Sequence, residues 1–130
     1  MNFLDSQQVR NFLTRKKTIE HWIGKDVVNN FETFKWISIE VRREEPGKYY
    51  VLMHHVFNES AEGIDSLYDY CYVVPDDMDG KIIGEFRSYE EALEFSVEHF
   101  GVDMNRFFPE GYIDDMVDYL STLSQNNPKI

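Results

Sequence analysis

His54, His55, Asp69 and Cys71 are the only grouping in this 130-residue chain with the side-chain types that nucleophilic or metal-assisted chemistry needs. A cysteine beside a histidine makes an activated thiolate. Neighbouring histidines on a strand point to opposite faces, so both cannot enter one site. A pairing that sets His54 against Cys71 puts the pair on an aliphatic face, where a thiol stays protonated and shielded from substrate. The pattern assigns Cys71 to the interior and His54 to a structural hydrogen bond, and it names no catalytic residue. Structural zinc sites use four Cys/His ligands at readable spacing, and none are present. The run Pro75-Asp76-Asp77-Met78-Asp79-Gly80 has the acids of a calcium loop but proline and phenylalanine at the first and twelfth positions, so it reads as a turn. No metal and no cofactor is expected. The fingerprints of nucleotide binding, serine hydrolysis and zinc proteolysis are absent.

Carboxylates are the abundant chemical group. Glu90, Glu94 and Glu98 recur every fourth residue, and Asp114, Asp115 and Asp118 form a second set. Glycosidases place two carboxylates across a cleft, one of them in an apolar pocket. Here the spacing puts the acids on the outer faces of amphipathic helices. Like charges four apart destabilise a helix by about 0.2–0.5 kcal/mol per pair, so the glutamate row carries a small cost without a structural return. A second candidate is a mixed sheet face carrying Trp36, Glu40, Met53, His55 and Phe57, with Glu40 and His55 as its acid–base pair.

The elements that must position these residues follow from periodicity and turn chemistry. Asp5 as N-cap with Gln8, and Leu4 stapled to Val9, predict a helix from about residue 6 to 23, ending near Gly24. Pro46-Gly47 predicts a type II turn between strands over 34–44 and 49–58, with Val41 opposite Leu52 and Ile37 opposite Val56. Residues 67–74 and 81–87 read as a third and a fourth strand. Ser88 caps a helix whose stripe is Ala92, Leu93, Ser96, Val97 and Phe100, stopping at Gly101. Pro109 opens a last helix with a stripe of Ile113, Met116, Val117 and Leu120. The fold class is α+β: an N-terminal helix, a four-stranded antiparallel meander, and two C-terminal helices packed on the sheet in two layers. Residues 1–130 read as a single domain, with 1–4 and 124–130 frayed.

Charge narrows the function. Residues 1–48 carry nine Lys/Arg and seven Asp/Glu, whereas 49–130 carry four and 17. The sums, +2 and −13, return the net −11. Direct nucleic-acid binding is disfavoured, and a basic protein partner is attracted. One cysteine excludes an intrachain disulfide, and no signal peptide or membrane span is read, so a cytoplasmic location is expected. In size and charge the chain resembles small acidic inhibitors such as immunity proteins. The favoured expectation is a non-catalytic, regulatory acidic protein engaging a basic partner through its C-terminal helices. The alternatives are a small-molecule-binding domain or enzyme using the mixed sheet face, and a structural subunit that forms a homo-oligomer through that face.

Overall fold

A computed structural model describes residues 3–42 and 44–125. Helix α1 spans Ser6–Thr14. Its start is the capping box expected: the Gln8 N–H donates to the Asp5 side chain at 2.8 Å and the Asp5 N–H to the Gln8 side chain at 3.0 Å. Leu4, expected to fray, is instead buried, and its N–H donates to the Phe107 carbonyl at 2.8 Å. The helix ends ten residues before Gly24. Lys16 turns left-handed (φ 62°), the Lys16 N–H donates to Leu13 O at 3.1 Å, and the Lys17 N–H donates to Phe12 O at 2.9 Å. These two bonds close a Schellman motif on lysine, where glycine is the usual residue.

Residues 19–23, read as the end of that helix, belong instead to strand β1 (Ile19–Val28). The apolar residues Ile19, Trp22 and Ile23 fit a helical stripe, but β-branched Ile19, Ile23, Val27 and Val28 fit a strand better once a turn follows. That turn is Asn29-Asn30, both left-handed (φ 52° and 69°), joining β1 to β2 (Phe31–Val41). Two positive φ angles in a two-residue loop make the type I′ hairpin, whose twist matches the strands.

The Pro46-Gly47 bend also forms, with Gly47 at φ 89°, but inside a longer connection. Strand β3 (Tyr49–Phe57) therefore pairs Val41 with Tyr49, Ile39 with Val51 and Ile37 with Met53. This is a slip of three residues from the expected register. An odd slip changes which faces meet. Leu52, His54 and Val56 lie on the face opposite Ile37 and Ile39. Strand β4 (Lys81–Phe86) pairs with β3. The expected strand over 67–74 is not one: Leu67–Asp69 is a 3-10 turn, and among the described residues the segment's backbone pairing with the sheet is the isolated Val56–Tyr72 bridge.

Helix α2 (Tyr89–Phe100) is capped by Ser88, which accepts the Glu91 N–H at 3.2 Å, and by left-handed Gly101. A two-residue strand, β5 (Phe108–Pro109), pairs with Ile19 and Glu20. Pro109 thus sits in β5, and helix α3 (Tyr112–Gln125) begins three residues later. Ser124 and Gln125 fall within α3, and the rest of the expected frayed tail lies outside the described residues.

The sheet order is β4-β3-β2-β1-β5, antiparallel throughout, with five strands where four were expected. On one face Ile19, Ile37, Ile39 and Val51 pack with Val9, Leu13 and Ala92 of α1 and α2. On the other, Trp22, Phe34, Trp36 and Val56 pack with Ile113 and Leu120 of α3 and with Leu67 and Tyr70. The two C-terminal helices therefore lie on opposite faces, giving three layers rather than two. Among the described residues no helix is long and apolar enough to cross a membrane.

Candidate functional site

The acidic residues divide between the two faces. Glu90, Glu94 and Glu98 are exposed on α2, and among the described residues no cation lies within 4 Å of any of them. Asp115 and Asp118 are exposed on α3. Asp114 has a structural task, since its carboxylate accepts the Leu67 N–H at 2.6 Å and the Ser66 hydroxyl at 3.1 Å. It ties the segment after β3 to the start of α3.

The mixed sheet face does not assemble as expected. Trp36 and Glu40 share the α3 face, whereas Met53, His55 and Phe57 point to the α2 face. Met53 and His55 line a small pocket of about 240 Å³ with Lys35, Val74, Asp77 and Lys81. His55 Nε2 lies 2.8 Å from the Thr33 hydroxyl, and burial holds its pKa below the usual imidazole value.

On the α3 face the register brings together a hydrogen-bonded chain that sequence reading missed. His54 stacks flat on Trp36, with ring centroids 4.8 Å apart and planes 6° apart. Gly80, at φ 105°, lies against the imidazole so closely that a Cβ there would sit 2.7 Å from His54 Cε1. The Ser38 hydroxyl donates to Glu40 Oε2 at 2.9 Å, and His54 Nε2 lies 2.7 Å from Ser38 Oγ. Ser38 has one proton. His54 therefore carries its proton on Nε2, and the Tyr72 hydroxyl donates to Nδ1 at 2.8 Å. Burial lowers the His54 pKa to about 4 and raises that of Tyr72 to about 12. Burial also raises Glu40, with Glu110 and Asp79 adding to the effect.

Beside this chain Glu20 is 3 % exposed. Its carboxylate accepts Tyr68 Oη at 2.6 Å, the Gly111 N–H at 3.0 Å and Trp36 Nε1 at 3.1 Å. Burial raises its pKa in spite of these donors.

This cluster contains a serine and a histidine in contact, yet it is not built for acyl transfer. Ser38 is 1 % exposed and gives its proton to Glu40, so His54 has no proton to take. Its chemical effect is to satisfy polar groups beneath the irregular cover. Cys71, expected in the interior, is exposed; its N–H donates to Glu59 at 2.6 Å, and the Glu59 charge raises the thiol's pKa. Among the described residues no three His, Cys, Asp or Glu side chains converge on a point that would hold a metal ion.

A concavity of about 670 Å³ lies along β1 where β5 stops covering it. The end of α2 at Phe100, and Leu120 of α3, form parts of its walls; Trp22, Lys25 and Lys35 lie along the strands. The cations there are already matched: Lys25 with Glu32 at 3.2 Å, Lys35 with Asp26 at 3.5 Å, and Arg106 with Asp103 at 3.4 Å. His21 closes one end, its Nδ1–H donating to the Trp22 carbonyl at 2.7 Å and its Nε2 accepting the Asp103 N–H at 3.1 Å. Comparison of the chain with protein-family models, with curated proteins and with solved structures finds no match.

Proposed function

We propose that this chain is a non-catalytic binding protein that engages a basic protein partner through its acidic helices. The observation that carries the reading is the row Glu90, Glu94, Glu98: three exposed carboxylates one helical turn apart, with no cation of the described residues within 4 Å to offset their repulsion. The net charge of −11 adds long-range attraction for such a partner, which raises association rates by about 10- to 1000-fold at low salt. Because α2 and α3 occupy opposite faces, one compact partner meets one of them or reaches around the sheet edge between them.

The test is capture of partners at low salt by the wild type and by two charge reversals, Glu90→Lys/Glu94→Lys/Glu98→Lys on α2 and Asp115→Lys/Asp118→Lys on α3. A basic protein released from the wild type by moderate salt, and not retained by the α2 variant, is the expected result. Equal retention by wild type and both variants refutes the reading. Asp114 is left intact because of its bonds to Ser66 and Leu67.

A second reading, small-molecule binding at the pocket beside His55, keeps one observation in its favour, the convergence there of Lys35, Lys81 and His55. At about 240 Å³ the pocket falls below the usual range for ligand sites, roughly 300–1,000 Å³. A ligand screen read on the His55 ring protons separates it from the first reading.

A further inference from the structure

β1 is the sheet's edge from the point where β5 ends. The short strand covers Ile19 and Glu20 alone, and no strand of the described residues pairs with the rest of β1 on that side. The two-residue turn fixes which groups face outward. Val28 and Phe31 close the turn as a hydrogen-bonded pair, and the alternation then directs the N–H and C=O of Val27 and Lys25 away from β2. One detail supports this direction independently: the Val27 N–H is met by its neighbour's carboxylate, Asp26 Oδ1, at 2.7 Å. An exposed acceptor thus stands where the carbonyl of an added strand would stand. The cleft of about 670 Å³ runs beside this edge, and Val27 and Phe31 next to it are 64 % and 63 % exposed.

We propose that the β1 edge beyond Glu20 accepts an extended, basic segment of the partner protein as an added antiparallel strand. This deepens the acidic-binder reading by naming how the partner is held, and it rests on that reading for the partner's charge. Main-chain bonds to Lys25 and Val27 supply the pairing, and side chains of the added strand enter the cleft. Charge selects the occupant. The cleft's own cations are each matched by an acid, and the unmatched acids lie outside its lining, on the outer face of α2 (Glu90, Glu94 and Glu98) and on α3 (Asp115). A second copy of this chain is disfavoured. It brings another −11, and the twofold register that uses Trp22–Val28 in full sets Lys25 against Lys25 of the second copy. The register centred one residue on sets Asp26 against Asp26, and directly opposed like charges destabilise a pair of strands.

The experiment is a titration of the isotope-labelled full chain with the blocked peptide (Lys-Val)4, read by amide shifts and hydrogen exchange. Controls are the same peptide N-methylated at alternate residues, (Glu-Val)4, and the variant Val27→Pro. Proline at that position removes an outward N–H and leaves the β2 ladder bonds in place. An unchanged amide spectrum away from β1 verifies that the variant is folded. The expected result is at least tenfold slower exchange at Lys25 when (Lys-Val)4 is bound. Affinity should fall at least tenfold with the N-methylated peptide and with Val27→Pro. Shifts confined to the outer faces of α2 and α3, unaffected by N-methylation or by Val27→Pro, overturn strand addition and leave the acidic-binder reading standing. Equal edge protection by (Glu-Val)4 does the reverse: strand addition stands and the preference for a basic partner falls. Absence of binding by (Lys-Val)4 at millimolar concentration overturns the edge proposal.

Discussion

Glu20 shows how much depends on single atoms in the polar cluster. Two donors converge on Oε1, from Tyr68 and Gly111, and one on Oε2, from Trp36. In Glu20→Gln the amide keeps an oxygen for the first two but turns an NH₂ toward the indole N–H. The expected loss is about 1–3 kcal/mol, the cost of a buried donor without an acceptor, checked by urea unfolding at neutral pH. His54 gives a pH signature. Its folded pKa, about 4, lies below the ordinary imidazole value of 6.5, so the unfolded chain binds the extra proton between those values. Stability from this group is present above pH 6.5 and is lost as pH falls toward 4, by about 3 kcal/mol at most. The raised carboxyls of Glu20 and Glu40 act with the opposite sign, because the folded state holds their protons more tightly as pH falls. The clean measurement is therefore the difference between wild type and His54→Gln across pH 4–7. That difference should shrink as the pH is lowered, and a constant difference counts against the assignment.

At the scale of elements, the helices were legible wherever caps use common residues. Asp5 with Gln8, Ser88 and Gly101 each stand where the cap grammar places them. The first helix was over-extended because its stop is a Schellman motif on Lys16, a residue that carries no stop signal. The β1–β2 hairpin was missed although Asn29-Asn30 is a turn signal, since the apolar spacing from Ile19 to Ile23 satisfies helix and strand periods alike. The Pro46-Gly47 turn was read correctly, but loop length sets register, and three extra residues moved His54 onto the face of Trp36. The mixed-face site failed for that reason, and the Ser38–His54–Tyr72 chain was invisible for the same reason. The hairpin offers a test of its own. Asn30→Gly, at φ 69°, removes left-handed strain and completes the preferred Asn-Gly pair. A gain of about 0.5 kcal/mol is expected in thermal or urea unfolding; a loss means that the Asn30 side chain makes a contact which outweighs the backbone gain.

Across the whole molecule, the −13 of residues 49–130 is divided by the sheet instead of being gathered on one surface. Sequence spacing placed each acid on the outside of its helix, and the exposures agree for Glu90, Glu94, Glu98, Asp115 and Asp118. What spacing cannot convey is which side of a sheet a helix takes, because that depends on long-range connections rather than on period. The separation has a use in experiment: the charge of each helix can be reversed without altering the other. The salt dependence of partner binding should then fall with one helix and not with its opposite.

The cover over the α3 face is a 23-residue stretch, 58–80, that contains 3-10 turns and no strand. Its anchorage is the packing of Leu67 and Tyr70 against the sheet, the Val56–Tyr72 bridge and a few polar tethers: Asp114 to Leu67, Tyr68 to Glu20, and Tyr72 to His54. Segments held this way open as cooperative units at a fraction of the free energy needed to unfold the whole chain. Trp36 lies under it, 1 % exposed and in contact with His54 and Tyr68. Each brief lifting of the cover therefore bathes one indole ring in water while the strands stay paired, so the chain carries a built-in optical reporter of its own local breathing.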